Sequence, residues 1–306
     1  NMRNRSLLLA ALITLSSLSV VIANDTVTTQ DVDLSGNHTM TGNYTVSHGT
    51  TLTIKPGTTI DMQNYWMEVE GTLIANNATI MSSIQTTGLG SHNAGVWDAL
   101  TITSIGSAIL DNVTISNAKS CMIIDGTLTA KSLVIEDCLI GIEVDGSATI
   151  DDATISHVDH DGIRSTGNLD ITAATIDDVS AGIHSSGDMV LSDATFSNAG
   201  VGIALTGGTA DVEELDFTTG VGNALTISSG VTGDVDGMEG DATNAIVSVD
   251  STGFTVSNID MSGERLVNSW SAGDLTISDA AFFADSPETP IDLRTSGTVT
   301  LSNISL

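Results

Sequence analysis

The sequence predicts an all-β chain wound as a parallel β-helix, with about 20–24 residues and three short strands in each coil. Three observations predict it. A glycine returns about every 21 residues: it opens a phrase at Gly126, Gly146, Gly167, Gly187 and Gly208, drifts at Gly230 and Gly253, and recovers at Gly273 and Gly297. Within each phrase the apolar residues lie two apart, the period of a strand with one face inward. Between the phrases stand Gly, Asp, Ser and Asn, which suit turns and leave no length for a helix. A fixed repeat of this size means stacked units that contact only their neighbours, in place of one globular core.

Superposing the repeats yields columns. The first strand of each coil contributes Leu128, Ala148, Leu169, Met189 and Ala210, then two residues on Ala130, Ile150, Ile171, Leu191 and Val212. The second contributes Ile135, Ile155, Ile176, Phe196 and Phe217, and the third Ile142, Ile163, Ile183 and Ile203, each directly after a glycine. Each column is expected to pair in register with the next coil at about 4.8 Å spacing.

Along the chain, residues 1–23 read as a signal peptide. Arg3 and Arg5 form a basic start, Leu7 to about Ile22 is apolar or small, and Val21-Ile22-Ala23 offers a cleavage site before Asn24. Residues 24–48 are Thr-rich and are expected to cap the first coil; residues 49–306 are expected to form the β-helix. Within it, 49–125 hold looser coils with an excursion at Thr86–Asp98, 126–229 are regular, 230–252 read as an acidic insertion, and 253–306 resume the coils. The repeat stops in mid-phrase at Leu306, so the helix is expected to be truncated there, with an open edge suited to end-to-end self-association.

The stretch HGTTLTIKPGTTIDM (His48–Met62), with the later repeats ending in Gly-Ile-polar-polar, resembles the right-handed parallel β-helix proteins of the pectate-lyase-like superfamily, over roughly residues 40–306. The resemblance implies a right-handed coil. It also implies a set of activities, polysaccharide lyases and glycoside hydrolases, beside surface proteins without chemistry. The hydrolase pattern of paired Asp with Gly-His-Gly and a basic pair is absent, so no catalytic residue carries over.

Charge narrows the partners. The chain has 38 acidic and eight basic residues, a net charge of −30; loss of Arg3 and Arg5 with the signal leaves six basic residues and −32. Such a surface excludes nucleic acid and anionic lipid, which need clustered Lys and Arg. It would repel a polyanionic sugar unless cations intervened. Asp outnumbers Glu 29 to 9, which suits turns between strands and equally a saline or calcium-rich exterior. Localisation is expected to be secreted or at the cell surface, with no membrane span after signal cleavage.

The densest ionisable cluster is Ser156–Arg164. Sugar cleavage needs carboxylates for acid and base work and a cation for developing charge, which Asp159, Asp161 and Arg164 would supply, with His184 one coil on. Glu143, Arg164 and His184 should line one exposed strip, where an ordinary cross-strand ion pair is the plainer reading. Asp151-Asp152 and Asp177-Asp178 fall at different corners and read as turn residues. For a metal, Gly233–Asp241 gathers hard oxygens from Asp234, Asp236, Glu239 and Asp241 on what is expected to be a tight loop, as calcium prefers. A solvated acidic loop is the alternative.

Cys121 and Cys138 fall on neighbouring coils but about three residues out of step, so the sequence favours two buried thiols over a disulfide. Tyr65, Trp66, Trp97 and Trp270 are the large aromatics available to stack on sugars, although packing under a loop explains a Trp as well. The leading functional expectation is an exported acidic surface protein with a structural or adhesive role. The alternatives are a polysaccharide lyase or glycoside hydrolase, and a calcium-dependent carbohydrate-binding module; partners would be polysaccharide or other cell-surface components.

Overall fold

A computed structural model describes residues 20–22, 25–84, 95–250, 252–271, 274–285 and 289–306. Its described residues contain 26 strands and no helix, and the strands pair in parallel into a right-handed β-solenoid of about 12 turns. No helix among them is long and apolar enough to cross a membrane.

The columns read from sequence are the observed register. Leu128, Ala148, Leu169, Met189 and Ala210 stand beside one another, as do Ile142, Ile163, Ile183 and Ile203. The isoleucines of the second set are all fully buried, and the apolar stack continues from Leu34 to Phe282. In the second strand the column widens to Phe196 and Phe217, whose rings stack with centroids 5.3 Å apart. The glycines before Ile183 and Ile203 make room for them. A Cβ on Gly182 would lie 2.6 Å from the Phe196 ring, and one on Gly202 would lie 2.5 Å from that of Phe217.

The corners are tighter than the sequence suggests. Ser147–Ser165, Asn168–Ser185 and Met189–Leu205 are each one continuous strand that bends twice, where three short strands with turns between them were expected. Single residues with positive φ make the bends. One corner stacks Asn117, Asp137, His157, Asp178 and Asn198; the other includes Asn77, Asn112, Ser132, Asp152, Ala173, Asp193 and Glu214. Most are Asn or Asp, whose short polar side chains tolerate the left-handed region best among residues with a Cβ. One such residue turns the strand without breaking the ladder, because both flanking residues still pair with the coils on either side.

Several boundaries move. Within 24–48, where a capping segment was expected, Val32–Leu34, Asn37–Met40 and Tyr44–Val46 already pair with Thr51–Ile54, Thr59–Asp61 and Met67–Val69. Of the expected signal peptide only Val20–Ile22 lies within the described residues, and it runs beside His38–Met40. The excursion at 86–98 lies largely outside them. The acidic stretch 230–252 is no insertion: Thr232–Asp241 pairs in register with Thr209–Phe217, and Asn244–Val249 with Asn223–Ile227. Glycines 233 and 240 disguise it, standing in the apolar columns of Ala210 and Phe217 where a Cβ would fall 1.9 Å from a neighbouring carbonyl oxygen.

The expectation of two free thiols is also overturned. Cys121 and Cys138 form a disulfide with Cα atoms 5.9 Å apart, within the ordinary bridging range. The three-residue offset, Ala118 to Cys121, falls where the chain passes from the second strand to the third, and both side chains are fully buried and meet from adjacent coils.

Two outcomes test this packing. Ile163→Asp, which buries an unpaired charge in the isoleucine stack, is expected to cost several kcal/mol in thermal unfolding; an unchanged midpoint would put that column outside the core. Replacing Cys121 and Cys138 together by alanine is expected to cost about 3 kcal/mol in denaturant unfolding, from the loop their bond closes.

Candidate functional site

The strip predicted across three coils exists. Glu143, Arg164 and His184 stand in register on the outer face of the third strand. The coil carrying Arg164 is irregular, with the register shifting between Val158 and Asp161. This bulge turns Asp161 into the surface, where it is only 9% exposed. Arg164 Nε donates to Asp161 Oδ2 at 2.7 Å, and His184 Nδ1 lies 3.7 Å from the same oxygen. On its other side His184 Nε2 stands 3.3 Å from the Thr206 hydroxyl. Glu143 accepts a hydrogen bond from Ser120 at 2.6 Å.

Three of the four predicted catalytic residues, Asp161, Arg164 and His184, therefore come together. Asp159 lies within the bulge, where its backbone carbonyl accepts the Ser180 hydroxyl at 2.7 Å. Chemically the trio is a neutralised carboxylate. One Asp161 oxygen takes the Arg164 Nε hydrogen bond and faces His184, so a nearly buried carboxylate is held by a guanidinium that is itself partly exposed.

The acidic stretch expected to hold calcium is a strand. Asp234, Asp236, Glu239 and Asp241 lie along Thr232–Asp241, exposed to solvent, while Val235 and Met238 point inward. Alternation spreads the acids along the outer face and round a corner, where a loop would have gathered them. Asp236 is engaged by the Ser257 hydroxyl at 2.8 Å and the Asn258 amide at 2.6 Å. Among the described residues no three His, Cys, Asp or Glu side chains converge as ligands of one ion.

Sequence reasoning missed an acidic groove beside that strand. A hollow of about 460 Å³ crosses four coils and is lined by Asp193, Glu214, Asp216, Glu239 and Asp260, with Met238 and Leu215 at its base. The register stacks Asp216, Glu239 and Asp260 directly. Asp193 and Glu214 occupy successive positive-φ corner positions, and their carboxyls share a hydrogen bond. That shared bond, then repulsion from Asp193, raises the Glu214 pKa above the usual carboxylate range. The signal was present in the corner column, but Gly237 follows Glu214 in it and hides the continuation.

Asp177 behaves oppositely. Hydrogen bonds from Ser197 Oγ at 2.5 Å and Asn198 Nδ2 at 2.9 Å hold its carboxyl below the usual range, with attraction from His157 adding to them. Of the aromatics, Trp97 is fully buried and donates through Nε1 to the Ser116 carbonyl at 3.0 Å, Tyr65 and Trp66 are partly buried, and Trp270 is half exposed.

No protein-family model and no curated protein matches the chain. Among solved structures it is similar to the catalytic unit of a thermostable GH87 alpha-1,3-glucanase from Streptomyces thermodiastaticus strain HF3-3, with a TM-score of 0.57 and 15% identity. The match covers 94% of this chain and 63% of that one, so this chain spans less than two thirds of that unit. The likeness is one of fold. At that level the parallel β-helix expected from the sequence is borne out.

The lowered pKa of Asp177 gives a pH test. Its stabilising share is present above the unfolded carboxylate value and is lost as pH falls through its lower folded value. Urea unfolding at several pH values is expected to show wild type more stable than Asp177→Asn near neutrality, by a small margin that closes on acidification.

Proposed function

We propose that this chain is an exported, acidic β-helix of the cell surface with a structural or adhesive role, engaging neutral carbohydrate through its outer faces without cleaving it. One observation carries the reading: in the Asp161–Arg164–His184 constellation the single carboxylate is paired with Arg164 and faces His184, an ion pair in place of two carboxyls set apart for acid and base work. The net charge of −30 favours neutral or cationic partners over polyanionic ones. The apolar, basic N-terminal sequence supports export.

A second reading, glycoside hydrolysis, is favoured by the acidic groove. A carboxyl whose pKa is raised by a neighbouring carboxyl, as at Glu214 beside Asp193, with further carboxylates stacked nearby, is the kind of arrangement that separates an acid from a base. The fold neighbour is named as an alpha-1,3-glucanase, so alpha-1,3-glucan is the first substrate to try.

A panel of neutral polysaccharides, assayed for binding by co-sedimentation and for new reducing ends, separates the two. Binding without product is expected. Product formation that Glu214→Gln or Asp193→Asn abolishes would replace the first reading by the second.

A further inference from the structure

The outer face of the first strand carries a window without charge. Over five successive coils its two outward positions form two ranks. One is Thr51, Thr72, Ser107, Thr127 and Ser147; the other is Thr53, Ile74, Ile109, Thr129 and Thr149. None of the ten ionises, in a chain whose net charge is −30. Acids bound the window at both ends, Asp33 beside Thr53 and Asp170 beside Thr149. Charges flank it on both sides at two residues' distance: Lys55, Asp111 and the Lys131–Asp151 pair after the second rank, and Glu70, Asp125 and Asp145 before the first.

The window is regular in two directions. Coils repeat at about 4.8 Å, and the two ranks lie about 6.6 Å apart along each strand. Beneath them Leu52, Leu73, Ala108, Leu128 and Ala148 are buried and in register, so the face rests on a packed stack. Threonine and isoleucine are branched at Cβ, which limits their rotamers and fixes where each hydroxyl and methyl stands. Thr72 and Ser107 link their hydroxyls at 3.3 Å across coils. Ile74 and Ile109 are 36% and 50% exposed, unlike most large apolar side chains of the chain.

Three properties select the occupant. It carries no net charge, because none of the ten residues that would touch it is charged. It does not need ring stacking, because no aromatic stands on the face. It does not need a wide interface: five coils by two ranks offer a few hundred Å² at most, short of the roughly 800 Å² per partner in a stable protein pair. A neutral lattice whose own repeat lies near the coil spacing meets all three, and ice is such a lattice. Its oxygen rows can continue through the hydroxyl ranks, while methyl groups rest in the lattice voids and release ordered water. We propose that this face binds ice.

The test uses the full chain, fluorescently labelled, presented to a growing ice crystal, with recrystallisation inhibition measured in parallel. Wild type is expected to coat the ice and to slow recrystallisation. Ile109→Lys/Thr129→Lys, which sets charges in the middle of the window, is expected to lose both effects. Thr154→Lys/Thr175→Lys, on the exposed rank of the next strand face, is expected to keep both. Thermal midpoints matching wild type would show that both variants fold. The proposal is overturned if wild type ignores ice, if both variants lose the effects alike, or if the window variant is impaired only in adsorbing to crystalline cellulose.

Discussion

Every coil depends on one constraint: an inward position must stand directly over the inward position one coil away, so that the apolar residues form continuous columns. The hydrogen-bonded ladder sets the spacing, and the apolar columns set the register, because a slip of one residue would turn each inward isoleucine to solvent. Ile142, Ile163, Ile183 and Ile203 satisfy this by identity. The second-strand column satisfies it by compensation, since the larger Phe196 and Phe217 rings occupy space that the neighbouring glycines leave open. The Cys121–Cys138 bond joins two coils at a buried point of the same stack.

The corners follow from that requirement. A continuous ladder cannot tolerate long turns, so bends are confined to single residues in the left-handed region, stacked from coil to coil. Such positions favour Asn and Asp, and this places polar side chains in rows along the edges of the solenoid. Part of the excess of Asp over Glu therefore has a conformational origin. Where two acids follow one another in a corner row, as at Asp193 and Glu214, the same geometry presses carboxyls together and raises the Glu214 pKa.

The outer faces are where the coils differ. The third-strand face carries the Asp161–Arg164–His184 cluster, the second carries the acidic groove, and the first carries a neutral window between Asp33 and Asp170. Outward positions are free to vary because their side chains do not enter the stack, so a repetitive scaffold supports unlike surfaces at fixed separations. A bulge of the kind between Val158 and Asp161 extends this freedom, adjusting one side chain locally while the inward columns on either side keep their register.

The sequence by itself determined the architecture, the inward columns and the strip of Glu143, Arg164 and His184, because a period-two pattern repeated at fixed length has one economical solution. It also placed Asp151-Asp152 and Asp177-Asp178 at separate corners. What it left undecided depends on bends. The disulfide needed the bend between the second and third strands to bring Cys121 and Cys138 together. The regular coil at 230–252 was masked by glycines in apolar columns, and the expected acidic loop proved to be an alternating strand. The acidic groove joins residues from four coils whose spacing in sequence varies. Only the tertiary winding decides which outward residues become neighbours, since periodicity fixes the face of a residue and the local corner and bulge geometry fixes its direction on that face.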